Sequence, residues 1–197
     1  STCFDKLGNI KENSATNLLK VPLIYINQVG GNDDLVFDGN SFITDENGKI
    51  IKRLKSCSEE YIFWDLSKKT IPLETIQLKN EIESIFDTLV LGVKDYAKKC
   101  KFSSSLIGLS GGIDSALVAV IATAAMGKNN VFCYSMPSKW NSESSLIDAQ
   151  DLADRLNINL NKIPIHEIHN SFESVLLESI NFQLQGITNE NIQSRIR

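Results

Sequence analysis

Two kinds of apolar pattern follow one another along the chain. In residues 1–66 the apolar positions come in short runs broken by turn-forming clusters. Residues 21–27, Val-Pro-Leu-Ile-Tyr-Ile-Asn, are rich in β-branched and aromatic side chains and predict a buried strand. Gly30-Gly31-Asn32-Asp33 predicts a turn after it. Residues 35–37 and 41–44 predict two more strands, separated by Asp38-Gly39-Asn40. Asp45-Glu46-Asn47-Gly48 predicts a hairpin turn into residues 49–51, because Asn-Gly tolerates the positive φ such turns require. Residues 60–64, Glu-Tyr-Ile-Phe-Trp, predict the last strand of this part.

Residues 67–80 are mostly polar, with one proline, and read as a linker. Beyond them the period changes from two to that of a helix. Ile82, Ile85, Phe86, Leu89, Val93, Tyr96 and Ala97 fall on one helical face. Residues 105–109 predict a short buried strand, and residues 116–126, almost wholly apolar and rich in alanine, a buried helix stopped by Gly127. Strand and helix then alternate: a strand at 131–135, a helix at 144–156, a strand at 160–165 and a helix at 168–180. Thr188 is placed to cap a further helix. This alternation predicts an α/β fold with a parallel sheet and right-handed crossovers. The domain division expected is therefore 1–66, a linker at 67–80, and 81–197. So short a sheet reads as incomplete, and both termini are abrupt, so the expectation is a fragment spanning a domain junction.

Composition narrows the function classes. The 197 residues are 42% apolar, which excludes wholesale disorder. Twenty basic residues stand against 24 acidic, a net charge of −4, so no basic face is available for many phosphates and a nucleic-acid partner is not expected. No apolar run approaches the ~18–20 residues that span a bilayer, and with no charged-then-apolar stretch at the start a secretion signal is not expected. Cys3, Cys57, Cys100 and Cys133 form no CxxC pair and no zinc-ligand spacing with either histidine, which reads as reduced thiols in the cytoplasm. His166 and His169 read as exposed or capping residues, Trp140 as loop packing, and Lys98, Lys99 and Lys101 as a solvated helix end. Asp148, Asp151 and Asp154 read as a solvated stripe.

The informative chemistry lies in Ser110-Gly111-Gly112-Ile113-Asp114-Ser115, between a strand and a helix. Glycines let the backbone turn sharply and approach a ligand closely. The free N–H groups of a helix's first turn carry about half a positive charge and form an anion site. Ser110 and Ser115 add hydroxyl donors. Asp114 is repulsive beside phosphates unless a cation bridges them, which implies Mg²⁺. The string is neither GxxxxGK[ST] nor GxGxxG.

Leu109 to Ser115 resembles the SGGxDS pyrophosphate loop of the ATP pyrophosphatases, enzymes that cleave ATP between the α and β phosphates. The wider stretch resembles the NAD synthetases: Gly108-Leu109-Ser110-Gly111-Gly112-Ile113-Asp114-Ser115-Ala116, then Met136-Pro137-Ser138, residues 142–153, and residues 189–197, Asn-Glu-Asn-Ile-Gln-Ser-Arg-Ile-Arg. Residues 25–39, Tyr-Ile-Asn-Gln-Val-Gly-Gly-Asn-Asp-Asp-Leu-Val-Phe-Asp-Gly, resemble the end of the nitrilase-type glutaminase domain of the glutamine-dependent NAD synthetases. The resemblance implies a partial ATP-pyrophosphatase sheet preceded by a β-rich piece of a nitrilase-like domain. It implies amidation of deamido-NAD with glutamine through an adenylate, at the cost of ATP. It assigns ATP and pyrophosphate binding to Gly108, Leu109, Ser110, Gly111, Gly112, Ile113, Asp114, Ser115 and Met136, and the metal to Asp114. Asn191 and Arg195 match a segment that contacts deamido-NAD, and Thr2 a serine that touches glutamine. Cys3 matches a proline beside Phe4 and is not the expected nucleophile, so the glutaminase Cys, Glu and Lys are expected outside the chain. A homo-oligomer assembled through the synthetase part is also implied. The alternatives are an ammonia-dependent NAD synthetase, another ATP-pyrophosphatase amidotransferase of the GMP-synthetase kind, or a fragment that binds nucleotide without turnover.

Overall fold

The computed structural model describes residues 16, 19–65, 79–137, 143–180, 191, 192 and 194–196. Thr2, Cys3, Phe4, most of the expected linker, Ser138, Trp140 and Thr188 lie outside the described residues. The chain divides into two units, Ser1–Tyr96 and Ala97–Arg197.

In the first unit, β1 (Leu23–Tyr25), β4 (Phe42–Thr44) and β5 (Ile50–Arg53) form an antiparallel sheet in the order β1-β4-β5. The turn between β4 and β5 works as its sequence suggests. The Asp45 carboxylate accepts from the N–H groups of Asn47 and Lys49, and Gly48 takes φ 82°. Phe42, Ile43 and Thr44 are buried, Tyr25 stacks on Phe42 at 5.0 Å, and the Arg53 guanidinium lies over the same ring at 5.3 Å. Burial pushes the Arg53 pKa down, against the attraction of Asp38.

Three expectations fail in this unit. The run at 21–27 is not a buried strand: only Leu23–Tyr25 forms β1, and Ile24 and Ile26 are 52% and 82% exposed. Gly30 and Gly31 are not a turn: they lie in β2 (Val29–Asn32), which pairs with β3 (Leu35–Asp38). The reversal falls two residues later, at Asp33-Asp34, with Asp33 at φ 52°. Gly30 takes φ 123°, and the Gly31 N–H donates to the Asp95 carboxylate at 2.8 Å, so the glycines serve a close approach inside a strand. Residues 60–64 are not a strand either. Tyr61 and Phe63 are 85% and 95% exposed, while Ile62 and Trp64 are half-buried; Tyr61, Ile62 and Trp64 all line an apolar cavity of about 590 Å³. Burial alternates, but among the described residues no strand pairs with this backbone.

Helix α1 (Glu81–Lys99) runs through the division between the units. Asn80 caps it through the Glu83 N–H at 2.8 Å, and Lys98 and Lys99 occupy its last turn.

The second unit is the expected parallel sheet. Strands β6 (Ser105–Gly108), β7 (Val131–Ser135) and β8 (Leu160–Lys162) lie in that order, all parallel. Helices α2 (Ile113–Met126) and α3 (Glu143–Leu156) pack on the sheet and on each other, and α4 (His166–Ile180) follows β8. Ile107, Leu109, Ala119, Ala122, Val131, Cys133, Ala149, Ala153 and Ile158 form the core. α2 begins three residues before the expected start, so Ile113, Asp114 and Ser115 belong to its first turn. β8 ends at Lys162 rather than at residue 165. The pairing continues irregularly: the N–H groups of Ile163 and Ile165 donate to the carbonyls of Ser135 and Pro137, and Pro164 between them has none to give. His169 is 1% exposed, contrary to the exposed reading. The three aspartates on α3 are exposed, with Asp151 paired to Arg155 at 2.7 Å.

Candidate functional site

The loop Ser110–Ser115 stands at the carboxyl end of β6, the edge of an open α/β sheet where ligands bind. Leu109 anchors its near end. Its side chain is 2% exposed in the core and its N–H donates to Tyr134 O at 2.8 Å. Gly111 turns the chain at φ 83°. Gly112 is the N-cap of α2, extended at φ −85° and ψ 157°, with no side-chain hydrogen bond capping the helix. The first intrahelical bond of α2 is Ala116 N–H to Gly112 O, which leaves the N–H groups of Ile113, Asp114 and Ser115 outside the helix's own ladder.

Four hydrogen bonds among loop groups hold this shape. The hydroxyls of Ser110 and Ser115 are 3.0 Å apart. The Ser110 N–H donates to Ser115 Oγ, the Gly112 N–H donates to Ser110 Oγ, and Ser115 Oγ donates to Gly112 O. Donors, hydroxyls and a helix N-terminus thus converge on one exposed loop, which can receive a multiply charged anion. Asp114 is exposed in the first turn of α2. Among the described residues no group of three or more His, Cys, Asp or Glu gathers to cage a metal. A cation here would be held by Asp114 together with ligand oxygens and water, the arrangement Mg²⁺ favours.

Met136, directly after β7, reaches across to β6: its Cε lies 3.3 Å from where a Cβ on Gly108 would stand. Gly108 and Met136 are therefore brought together with the loop, at the same sheet edge. Asn191 and Arg195 are helical and exposed. Sequence reasoning missed Ser145. A Cβ on Gly111 would collide with the backbone carbonyl of Ser145, in the first turn of α3. Nothing in the sequence signals this, because Ser145 meets the loop through its main chain.

The family model described as NAD synthase matches residues 85–197, the segment that contains this loop. The chain belongs to the NAD synthase family. Among curated NAD synthetases, the glutamine-dependent NAD(+) synthetase of Synechocystis sp. is 45% identical over 181 residues, covering 90% of this chain and 32% of that one. The solved glutamine-dependent NAD+ synthetase of Acinetobacter baumannii, in complex with ADP, is 36% identical with a TM-score of 0.84, covering 92% of this chain and 35% of its own. The NH3-dependent NAD synthetase of Campylobacter jejuni, in complex with nitrate, is 31% identical with a TM-score of 0.52, covering 60% of this chain and 49% of its own. The chain spans about a third of the length of the curated relatives it matches. The parallel sheet with its helices is the ATP-pyrophosphatase fold of the NAD synthetases, and antiparallel strands precede it.

Proposed function

We propose that this protein serves glutamine-dependent NAD synthesis: ATP-driven amidation of deamido-NAD, with glutamine as nitrogen donor. The observation that carries the reading is the Ser110–Ser115 loop, whose N–H groups, hydroxyls and carboxylate suit the departure of pyrophosphate. Coverage supports glutamine over ammonia as the nitrogen source. A match over 90% of the chain must include residues before Glu81, since those make up more than a third of it, whereas the NH3-dependent relative covers 60%.

In the first step the nicotinate carboxylate oxygen attacks the α-phosphorus. An O–P bond forms, the bond from the α-phosphorus to the α–β bridging oxygen breaks, and its electron pair leaves with pyrophosphate. The first-turn N–H groups of α2 and the hydroxyls of Ser110 and Ser115 meet that growing charge, the main device for such a step. Gly111 and Gly112 let the backbone come within hydrogen-bonding reach. Asp114 would hold Mg²⁺, which neutralises phosphate charge when bound. Met136, over Gly108, is assigned to the adenine. Ammonia then adds to the acyl carbonyl, AMP leaves with the former carboxylate oxygen, and the lost proton leaves the amide of NAD. Asn191 and Arg195 are assigned to deamido-NAD, the guanidinium suiting a phosphate or carboxylate. Thr2 is assigned to glutamine.

The same reading proposes a nitrilase-like piece in 1–66, a linker at 67–80, a synthetase part in 81–197, a homo-oligomer and a cytoplasmic site of action. Among the described residues no helix is long and apolar enough to cross a membrane. The test is NAD formation by the full-length protein with Mg-ATP and deamido-NAD. Product is expected with glutamine or ammonia; product with ammonia alone would reduce the reading to an ammonia-dependent enzyme.

A further inference from the structure

We infer that Ala149 is a positioning residue for ATP, acting through the backbone of Ser145; this rests on the loop's assignment to ATP. The loop is held in two ways. From inside, it is pinned by the hydroxyls of Ser110 and Ser115 and by the Gly112 N–H. An arriving phosphate competes for those same groups, which weakens the inner pins on binding. From outside, Gly111 lies against the main chain of Ser145, so close that there is no room for a Cβ. That contact is made by groups the ligand does not take, and it remains as the wall that keeps the loop in shape.

The height of the wall is set by how closely α3 sits on the core. Ser145, Ala149 and Ala153 recur every four residues, one helical turn apart, and lie on one stripe. Ala149 and Ala153 are 1% and 0% exposed and belong to the same core cluster as Ala119 and Ala122 of α2. No side chain larger than a methyl stands at either buried position, so α3 packs at short range and carries Ser145 onto Gly111. A bulkier residue at Ala149, one turn from Ser145, must lift that end of α3, because the close-packed core cannot absorb it. A displacement of about 1 Å at such a site can cost 10²-fold.

The experiment is Mg-ATP binding by calorimetry and steady-state kinetics on the full-length protein, for wild type, Ala149→Val, the milder Ala149→Cys, and Ala125→Val as a control. Ala125 is buried in the last turn of α2, at the end of that helix away from the loop. Ala149→Val should weaken Mg-ATP about tenfold or more and raise the KM for ATP, with the KM for deamido-NAD within about twofold. Ala149→Cys should shift in the same direction by less. Ala125→Val should lower the melting temperature without moving ATP affinity beyond about twofold. Should Ala149→Val not fold, Ala149→Cys decides alone. Unchanged ATP affinity in a folded Ala149 variant, or an equal loss in Ala125→Val, overturns the inference and leaves the assignment of the loop standing. A wild type that binds no Mg-ATP overturns both.

Discussion

The hydroxyl oxygens of Ser110 and Ser115 lie 3.0 Å apart, each the other's hydrogen-bond partner, at opposite ends of one six-residue loop. Ser115 Oγ enters three of the four bonds that shape the loop, whereas Ser110 Oγ enters two. Ser115→Ala should therefore be the more damaging change. A loss of ~10² in kcat/KM for ATP is expected, the scale for removing one donor aimed at developing charge. Steady-state kinetics of both alanine variants check the order; a milder Ser115→Ala would contradict it.

Asp114→Ala bears on the metal. The side chain is an exposed carboxylate within an anion-binding turn. Its removal should weaken Mg-ATP while leaving metal-free ATP unchanged or slightly tighter, because a repulsive charge is gone. Titrations with and without Mg²⁺ measure this. An unaltered magnesium dependence would remove the metal role from Asp114.

Gly111→Ala should fail for two independent reasons. The residue stands at φ 83°, where an L side chain costs about 1–2 kcal/mol, and its Cβ would meet the Ser145 backbone. Overpacking typically adds about 1–3 kcal/mol. Thermal melting should show a clear loss of stability, with Mg-ATP binding abolished. Gly127→Ala is the comparison, since Gly127 shares φ 83° but has nothing within 4 Å of a Cβ. At ψ 146° Gly127 lies outside the left-handed helical well, so alanine there should cost only backbone strain of about 1–3 kcal/mol, with Mg-ATP binding kept.

Much of this was legible in the residues. The strand at 131–135 was legible because its alternate burial leaves a period in the side chains, and the helix from Glu81 because its apolar residues recur at helical spacing, although Ile82, Ile85 and Tyr96 on that face are exposed. The anion loop was found because glycines, hydroxyls and a carboxylate have few other reasons to stand together between a strand and a helix. Three of the misses share a cause: they concern backbone rather than side chains. Gly30 and Gly31 read as a turn because a glycine shows only that the backbone is free, not how it is used. Residues 60–64 alternate like a strand because alternation reports two faces, not a pairing partner. Ser145 was invisible because it touches Gly111 through its carbonyl.

Burial pushes the Cys133 thiol above its ordinary value. In the unfolded chain the thiol ionises first, near pH 8.5, while the folded protein keeps its proton. This contribution to stability is complete below that pH and is lost as pH rises through the folded value. Denaturant melts from pH 7 to about 10 should show a decline for wild type that is shallower for Cys133→Ala. Parallel slopes would contradict it.

The central claim is that the loop releases pyrophosphate while a carboxylate takes the α-phosphorus. It is tested most directly by supplying the full-length protein with Mg-ATP, a nitrogen donor and deamido-NAD labelled with ¹⁸O in its nicotinate carboxylate. Mass spectrometry of the nucleotide product reads the outcome. The account predicts AMP carrying one ¹⁸O atom, formed together with pyrophosphate and NAD. ADP and phosphate, or AMP without the label, would contradict it.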